Sequence, residues 1–335
     1  MVIDPHAHIT PQSFIDEVRA GKFGSSISIE QGEKWELLVS RTTVLGVERA
    51  HRDPLPRETW DVEKRLQDMK KMGVDKQILS VVPPISNYGL DAELNKDLAS
   101  SLNDALADIA REVPENFHCM ATVPLQDPQA AANELGRAVN HGHIGVEIGS
   151  NVAGKNLDDP DLDVFWEKVA ALDVPVFIHP VDAMGVDDRL KDYYLQNFIG
   201  LPLDTAIAVA CLTFGGVLDR FPDLKFLLAH FGGFTPWIRG RWQHGYGERQ
   251  EPKVRGAKAP EEYFKRFYYD TIIHHPDCIE FGVKTLGADI VLYGTDYPFD
   301  MGNRGPAREI PGLAQLPAAD QEKILSGNAR KLYKL

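Results

Sequence analysis

Eight short, β-rich apolar runs recur along the chain, at residues 2–4, 77–82, 118–123, 145–148, 176–179, 225–229, 268–270 and 290–293. Stretches of helical periodicity lie between them, at 62–72, 92–112, 128–141, 162–172, 203–221, 235–248 and 276–286. Strand–helix–strand units in series build a parallel sheet with its helices outside. Eight of them fit a (β/α)8 barrel better than an open doubly wound sheet. Leu98, Leu102, Ala105, Leu106 and Ile109 fall at helical spacing and give the second helix a buried face. Pro128 after Asp127, and Pro160 before Asp161, mark helix entries. The 335 residues therefore read as an α/β fold, one distorted barrel domain over 1–335, with no linker that would separate a second.

One region breaks the alternation. Residues 11–60 are of mixed polarity, with Gly21, Gly24, Gly32 and Gly46, strand candidates at 26–30 and 35–39, and the cluster His51-Arg52-Asp53. A structureless loop of that length is uncommon in a compact domain, so the stretch reads as a small cap inserted over the barrel mouth after strand one. A second excursion, 184–201, follows strand five. The tail beyond Arg304 reads as helices that close the barrel bottom or pack on a partner.

Composition excludes several partners. With 36 Lys+Arg against 49 Asp+Glu the net charge is −13, which argues against nucleic acid or an anionic membrane. A small carboxylate substrate stays compatible, because a local arginine pair or a metal outweighs the global field. Cys119, Cys211 and Cys278 are far apart with no CxxC, so neither a disulfide framework nor a zinc knuckle is expected. Reduced thiols, no visible signal-peptide pattern and no uninterrupted apolar run near ~20 residues together read as a cytoplasmic protein.

Barrel chemistry collects at the C-terminal ends of strands. Strand one runs into Asp4-Pro5-His6-Ala7-His8, and residues two apart in extended chain share a side, so His6 and His8 converge on one point. Strand five ends in His179-Pro180, strand six in His230-Phe231-Gly232-Gly233, and strand eight in Gly294-Thr295-Asp296-Tyr297-Pro298. Alone, each residue is an ordinary turn or capping residue. Four histidines and an aspartate finishing four strands of one barrel point to a metal site, and imidazole with carboxylate suits Zn²⁺, Mn²⁺ or Fe²⁺.

His6-Ala7-His8, Ile178-His179-Pro180, Ala229-His230-Phe231-Gly232-Gly233 and Gly294-Thr295-Asp296-Tyr297-Pro298-Phe299 resemble the amidohydrolase superfamily. Within it they look most like the metal-dependent decarboxylase branch, the aminocarboxymuconate-semialdehyde decarboxylases especially. The likeness continues through Val123-Pro124-Leu125-Gln126-Asp127, Asn156-Leu157-Asp158-Asp159 and Ile324-Leu325-Ser326-Gly327-Asn328-Ala329. The resemblance implies one divalent ion, Zn²⁺ first and Mn²⁺ second, held by His6, His8, His179 and Asp296. It also implies His230 as the acid–base group beside a metal-bound water, with Asp296 counted as catalytic as well. Binuclear hydrolytic relatives place a carboxylated lysine at the end of strand four, where this chain has Val146-Glu147-Ile148-Gly149. A single metal is therefore expected, with Glu147 beside it rather than on it.

Two arginines match carboxylate-gripping residues of that branch, a role suited to the planar guanidinium fork. Arg241 matches one that reaches a neighbouring subunit's site in a homodimer. Arg52 matches the other only with a one-residue insertion, which leaves Arg49 and Arg57 as alternatives. Phe299 is a candidate substrate contact, with Tyr193, Tyr194, Phe198 and Trp237 as weaker ones. His141, His143, His274 and His275 are discounted as ligands. The expected activity is non-oxidative decarboxylation of an unsaturated or aromatic carboxylic acid. The alternatives are a mononuclear metallohydrolase of a lactone or amide, or a hydratase, on the same scaffold.

Overall fold

The computed structural model describes residues 1–85, 88–185, 189–256 and 258–335. Its parallel strands form two sheets. One has the order β1 (Ile3–Ile9), β5 (Lys76–Val81), β6 (Phe117–Cys119). The other runs β7 (Val146–Gly149), β8 (Val176–His179), β9 (Phe226–Leu228), β10 (Phe267–Tyr269). Isolated bridges carry the pairing around the ring between them: Ala121–Val146 on one side, Tyr269–Val291 and Ala7–Tyr297 on the other. This is the α/β barrel the alternation predicts, distorted where ladders shrink to single bridges.

Three expected strands are shorter than the apolar runs imply: 225–229 is trimmed to Phe226–Leu228, and the other two shorten for visible reasons. In 118–123 the ladder stops at Cys119, because the side chain of Asn103 bonds both the N–H and the C=O of Thr122, each at 2.9 Å. In 290–293 a 3-10 turn occupies Ala288–Ile290, which leaves the Val291 bridge and one bond from Leu292 N–H to Tyr269 O at 2.8 Å. Helices Val62–Met72, Ala92–Glu112, Thr235–Glu248 and Pro276–Leu286 have their expected bounds, and 203–221 divides into Leu201–Phe214 and Val217–Arg220. By length and composition the stretch Gln196–Phe214 is apolar enough to cross a membrane. Here it packs on the barrel, burying Ala206, Ala208, Val209 and Leu212.

The barrel interior below the mouth is filled by Ile3, Ile78, Met120, Phe177, Leu227 and Leu292. Ala329, Leu332 and Tyr333 of the last helix, Asn328–Tyr333, join this cluster, so the tail closes the bottom. Filling the floor leaves the upper end of the strands for chemistry. Within residues 11–60 there is more regular structure than expected: a helix, Gln12–Arg19, and an antiparallel sheet of β2 (Ile27–Gln31), β3 (Glu36–Val44) and β4 (Val47–Pro54). The third strand, Val-Glu-Arg-Ala-His-Arg-Asp-Pro, escapes a hydrophobicity reading because both its faces are polar. Residues 186–188 of the second excursion lie outside the described residues; Gln196–Gly200 is helical and continues into Leu201–Phe214.

Candidate metal centre and active site

β1 carries a register irregularity between Asp4 and Ala7. An extra residue there shifts the pleat, so Ile3 on the barrel floor and His6 and His8 above it all face inward. Phe177, two residues before His179 on β8, lies beneath both imidazoles, with ring centroids 4.9 Å from His6 and 6.3 Å from His8. Period two then brings His179 up beside them, 5.4 Å from His6 and 5.0 Å from His8.

His230 stands on a strained turn. His230, Phe231, Gly232 and Gly233 all have positive φ, from 54° to 71°. For a residue with a side chain this costs about 1–2 kcal/mol. Asp270, at the end of the segment after β10, holds the turn: its oxygens accept the N–H groups of His230 at 2.9 Å and Phe231 at 2.7 Å. Asp296 also has φ +57°, and its N–H donates to His6 O at 2.8 Å. Gly294, just before, is a glycine for space, since a Cβ there would meet the Cβ of Asp270 at 3.0 Å and of His6 at 3.1 Å.

Donor atoms of His6, His179, His230 and Asp296 lie within 4.8 Å of one another. Asp296 Oδ1 is 3.2 Å from His6 Nε2 and 3.4 Å from His8 Nε2, which brings the fourth expected ligand into the same cluster. The outer nitrogens are engaged with the protein. His6 Nδ1 meets Asp270 Oδ2 at 2.5 Å, His8 Nδ1 meets Val81 O at 3.0 Å, and His179 Nδ1 meets Pro180 O at 3.2 Å. With Nδ1–H donated outward, each Nε2 presents a lone pair inward, the arrangement of ligating histidines. These three Nε2 atoms and Asp296 Oδ1 are buried and have no hydrogen-bond partner. Four orphaned donors of that chemistry fit a divalent cation.

Electrostatics agree. Burial lowers His8 to about 4 and, with neighbouring imidazoles, holds His179 well below its ordinary value, so both are neutral. Burial also opposes charge on His6, yet Asp296 and Asp270 raise it to about 10. Burial pushes Asp296 up as well, but the imidazoles around it keep its carboxyl well below the usual range. Two buried carboxylates thus demand a positive charge in the cluster, which a proton on His6 or a divalent ion supplies. His230 differs from the other three. Its side chain is 18% exposed, its Nε2 lies 3.5 Å from Asp296 Oδ2, and its Nδ1 has no hydrogen-bond partner.

A cavity of about 190 Å³ opens above the cluster, lined by His51, Asp182, Tyr194, Leu201 and Phe299 among others, with His179, His230 and Asp296 at its base. A profile of the amidohydrolase family matches residues 3–335. The chain belongs to the amidohydrolase family. It is 33% identical over 329 residues to the 2-amino-3-carboxymuconate-6-semialdehyde decarboxylase of Dictyostelium discoideum, covering 98% of this chain and 90% of that one. The structure of a 2,6-dihydroxybenzoate decarboxylase complexed with 2,6-dihydroxybenzoate superposes with a TM-score of 0.76 at 27% identity, over 83% of this chain and 90% of that chain. A dihydroxybenzoic acid decarboxylase from Polaromonas, solved with bound manganese, superposes with a TM-score of 0.80 at 24% identity, over 100% and 97% of the two chains.

Within this amidohydrolase barrel the remaining candidates divide. Glu147 is buried 3.8 Å behind His8 Nδ1, outside the inward donors, and burial raises it to about 8. Phe299 lines the cavity, its ring 5.5 Å from that of His8. Arg52 does not reach it: on β4 residues 49, 51 and 53 turn inward, and Arg52 is half exposed beside Glu30 at 3.7 Å. His51 occupies the cavity wall instead, while Arg49 bonds Asp182 there at 3.0 Å. Arg57 pairs with Asp61 on the exterior, and Arg241 is exposed outside the cavity. Tyr194 lines this cavity; Phe198 and Trp237 line an adjoining one with His274. Tyr193 is exposed. His143 is buried against Ala138 O, His141 is exposed, and His275 caps the helix Pro276–Leu286.

Asp270, Asp182 and His51 join this site without having been singled out from the sequence. Asp270 ends a predicted strand at the chemical end of the barrel and was legible there. His51 depends on the cap register, and Asp182, just past β8, gains its partners only from the cap, so neither was legible.

Proposed function

We propose that this amidohydrolase is a metal-dependent, non-oxidative decarboxylase of an unsaturated or aromatic carboxylic acid. The observation that carries the reading is the set of inward Nε2 lone pairs and Asp296 Oδ1 with His230 alongside, in a chain whose curated relative is a decarboxylase. His6, His8, His179 and Asp296 would hold one ion, Zn²⁺ or Mn²⁺, whose charge orients a substrate oxygen when bound. β7 supplies Glu147 where a second metal would need a lysine, which disfavours the binuclear hydrolytic reading.

His230 Nε2 holds the proton that passes to the carbon bearing the carboxylate. Protonation there breaks conjugation and creates an electron sink, so the carbon–carbon bond cleaves and CO₂ leaves. Asp296 keeps the His230 ring aimed at that carbon. Phe299 and Tyr194 confine a planar substrate. Run in D₂O, the reaction should release one CO₂ per substrate and leave one deuterium at the vacated carbon. A hydrolysed or hydrated product without CO₂ would sink the assignment.

Arg241 completes the reading as a residue lent to a second copy in a homodimer. It is exposed on the outer helix, where it serves a neighbour more readily than its own cavity. Mixing inactive Arg241→Ala and His230→Asn chains should restore part of the activity, since one site of each mixed dimer is complete. Mixed dimers with no activity would place Arg241 outside the reaction. Free thiols at Cys119, Cys211 and Cys278 suit a reducing compartment such as the cytoplasm.

A further inference from the structure

Asp296 has a left-handed backbone conformation, uncommon for a residue with a side chain, and its neighbours hold it there. Those neighbours, Thr295 and Tyr297, are both gripped by one buried polar system centred on Arg65. Arg65 lies on the helix Val62–Met72 and is fully buried. One arm of its guanidinium donates to the carbonyl oxygen of His8. The other donates to Gln77 Oε1 at 3.0 Å. Gln77 Nε2 in turn donates to Asp4 Oδ2 at 2.9 Å, and that carboxylate accepts Thr295 Oγ1 at 2.6 Å and Thr295 N–H at 3.1 Å. The guanidinium plane lies over the ring of Tyr297, 4.6 Å from its centroid, and the Tyr297 hydroxyl donates to Asp68 at 3.0 Å.

The segment bearing His6 and His8 and the segment bearing Asp296 share one isolated backbone bridge, Ala7–Tyr297, with His8 N–H on Tyr297 O at 2.7 Å and Asp296 N–H on His6 O at 2.8 Å. A single bridge is a weak seam for two elements that must hold one ion. We infer that Arg65 is a positioning residue for the metal centre, clamping His8 and the Thr295–Tyr297 turn together so that Asp296 Oδ1 meets the imidazoles. A guanidinium is required because the role needs two in-plane donors in fixed directions and a flat face at once. A lysine keeps the charge and loses the fork. Arg65 touches neither ion nor substrate, so its effect reaches the reaction only through Asp296 and His8.

The inference rests on the metal reading above, and the test separates the two. Zinc-loaded wild type, Arg65→Lys, Arg65→Met and Gln77→Leu would be challenged with a chromophoric chelator to read the zinc dissociation rate. The cobalt-substituted forms would be compared by visible absorption, which reports ligand geometry. Arg137→Met, on a helix remote from the centre, controls for general destabilisation. Wild type should hold one zinc. The clamp variants should release it about 10–100-fold faster, the range for groups that orient metal ligands, with an altered cobalt spectrum. Arg137→Met should change neither.

Equal release rates in wild type and the folded clamp variants would overturn the role of Arg65, as would an equal acceleration in Arg137→Met. Failure of wild type to bind zinc or cobalt would instead overturn the metal reading itself. If Arg65→Met does not fold, Arg65→Lys and Gln77→Leu still decide, because each keeps a hydrogen-bonding or packing partner in place.

Discussion

At the barrel mouth, β1 and β8 bury every residue, whereas β4 in the cap buries none and alternates between exposed and half-buried from Glu48 to Pro54. The two regions face each other across the same cavity and are made on different terms. On a strand buried on both faces, a polar side chain is retained only with a partner, so His6, His8 and His179 each bond outward and aim inward. On β4 solvent satisfies one face, and Arg49 and His51 both pair with Asp182, 3.0 and 3.4 Å away. The mouth is therefore built of buried, partnered donors, and the cap adds a half-exposed wall to the same cavity.

That contrast is broken most severely at the ligands. Asp296→Ala or His6→Ala should lose metal and activity together, to background. His230→Asn should keep the metal while turnover falls by about 10²-fold or more, the usual size for general acid–base catalysis. Elemental analysis of each purified variant separates the two outcomes, and metal loss in His230→Asn would move that residue among the ligands.

Smaller effects belong to the cap. Arg49→Ala should raise KM about 3–10-fold with little change in kcat, because one charge-assisted bond fixing the wall is lost, and Arg52→Ala should stay within about twofold. The reverse ranking would restore the register in which Arg52 faces substrate. His51 is raised above its ordinary value, chiefly by Asp182. Its contribution is then complete below about pH 6.5 and is lost as pH climbs through the raised value. The thermal-midpoint advantage of wild type over Asp182→Asn should accordingly shrink, by on the order of 1–2 °C, between about pH 6 and about pH 9. A pH-independent difference would leave Arg49 as the sole partner.

The sequence was legible where burial imposes a period and illegible where it does not. Strand-end positions of His6, His8, His179, His230 and Asp296 follow from the apolar runs before them. The bulge in β1 is invisible in sequence, yet His6, within the irregular stretch, and His8, beyond it, still face the same way. In the cap a one-residue slip exchanges Arg52 for His51 or Asp53 on the inner face, and no apolar face in Val47–Pro54 fixes that register. The polar system behind the ligands, Asp4, Arg65, Gln77 and Asp270, joins residues up to 291 positions apart, a proximity that only the closed ring of strands creates.

Titration of metal-free protein with zinc, following CO₂ release from an accepted substrate, tests the central claim most directly. Turnover should rise linearly to one equivalent per chain and then level. A rise that continues to two equivalents, or full CO₂ release before any metal is added, would contradict a single-metal decarboxylase.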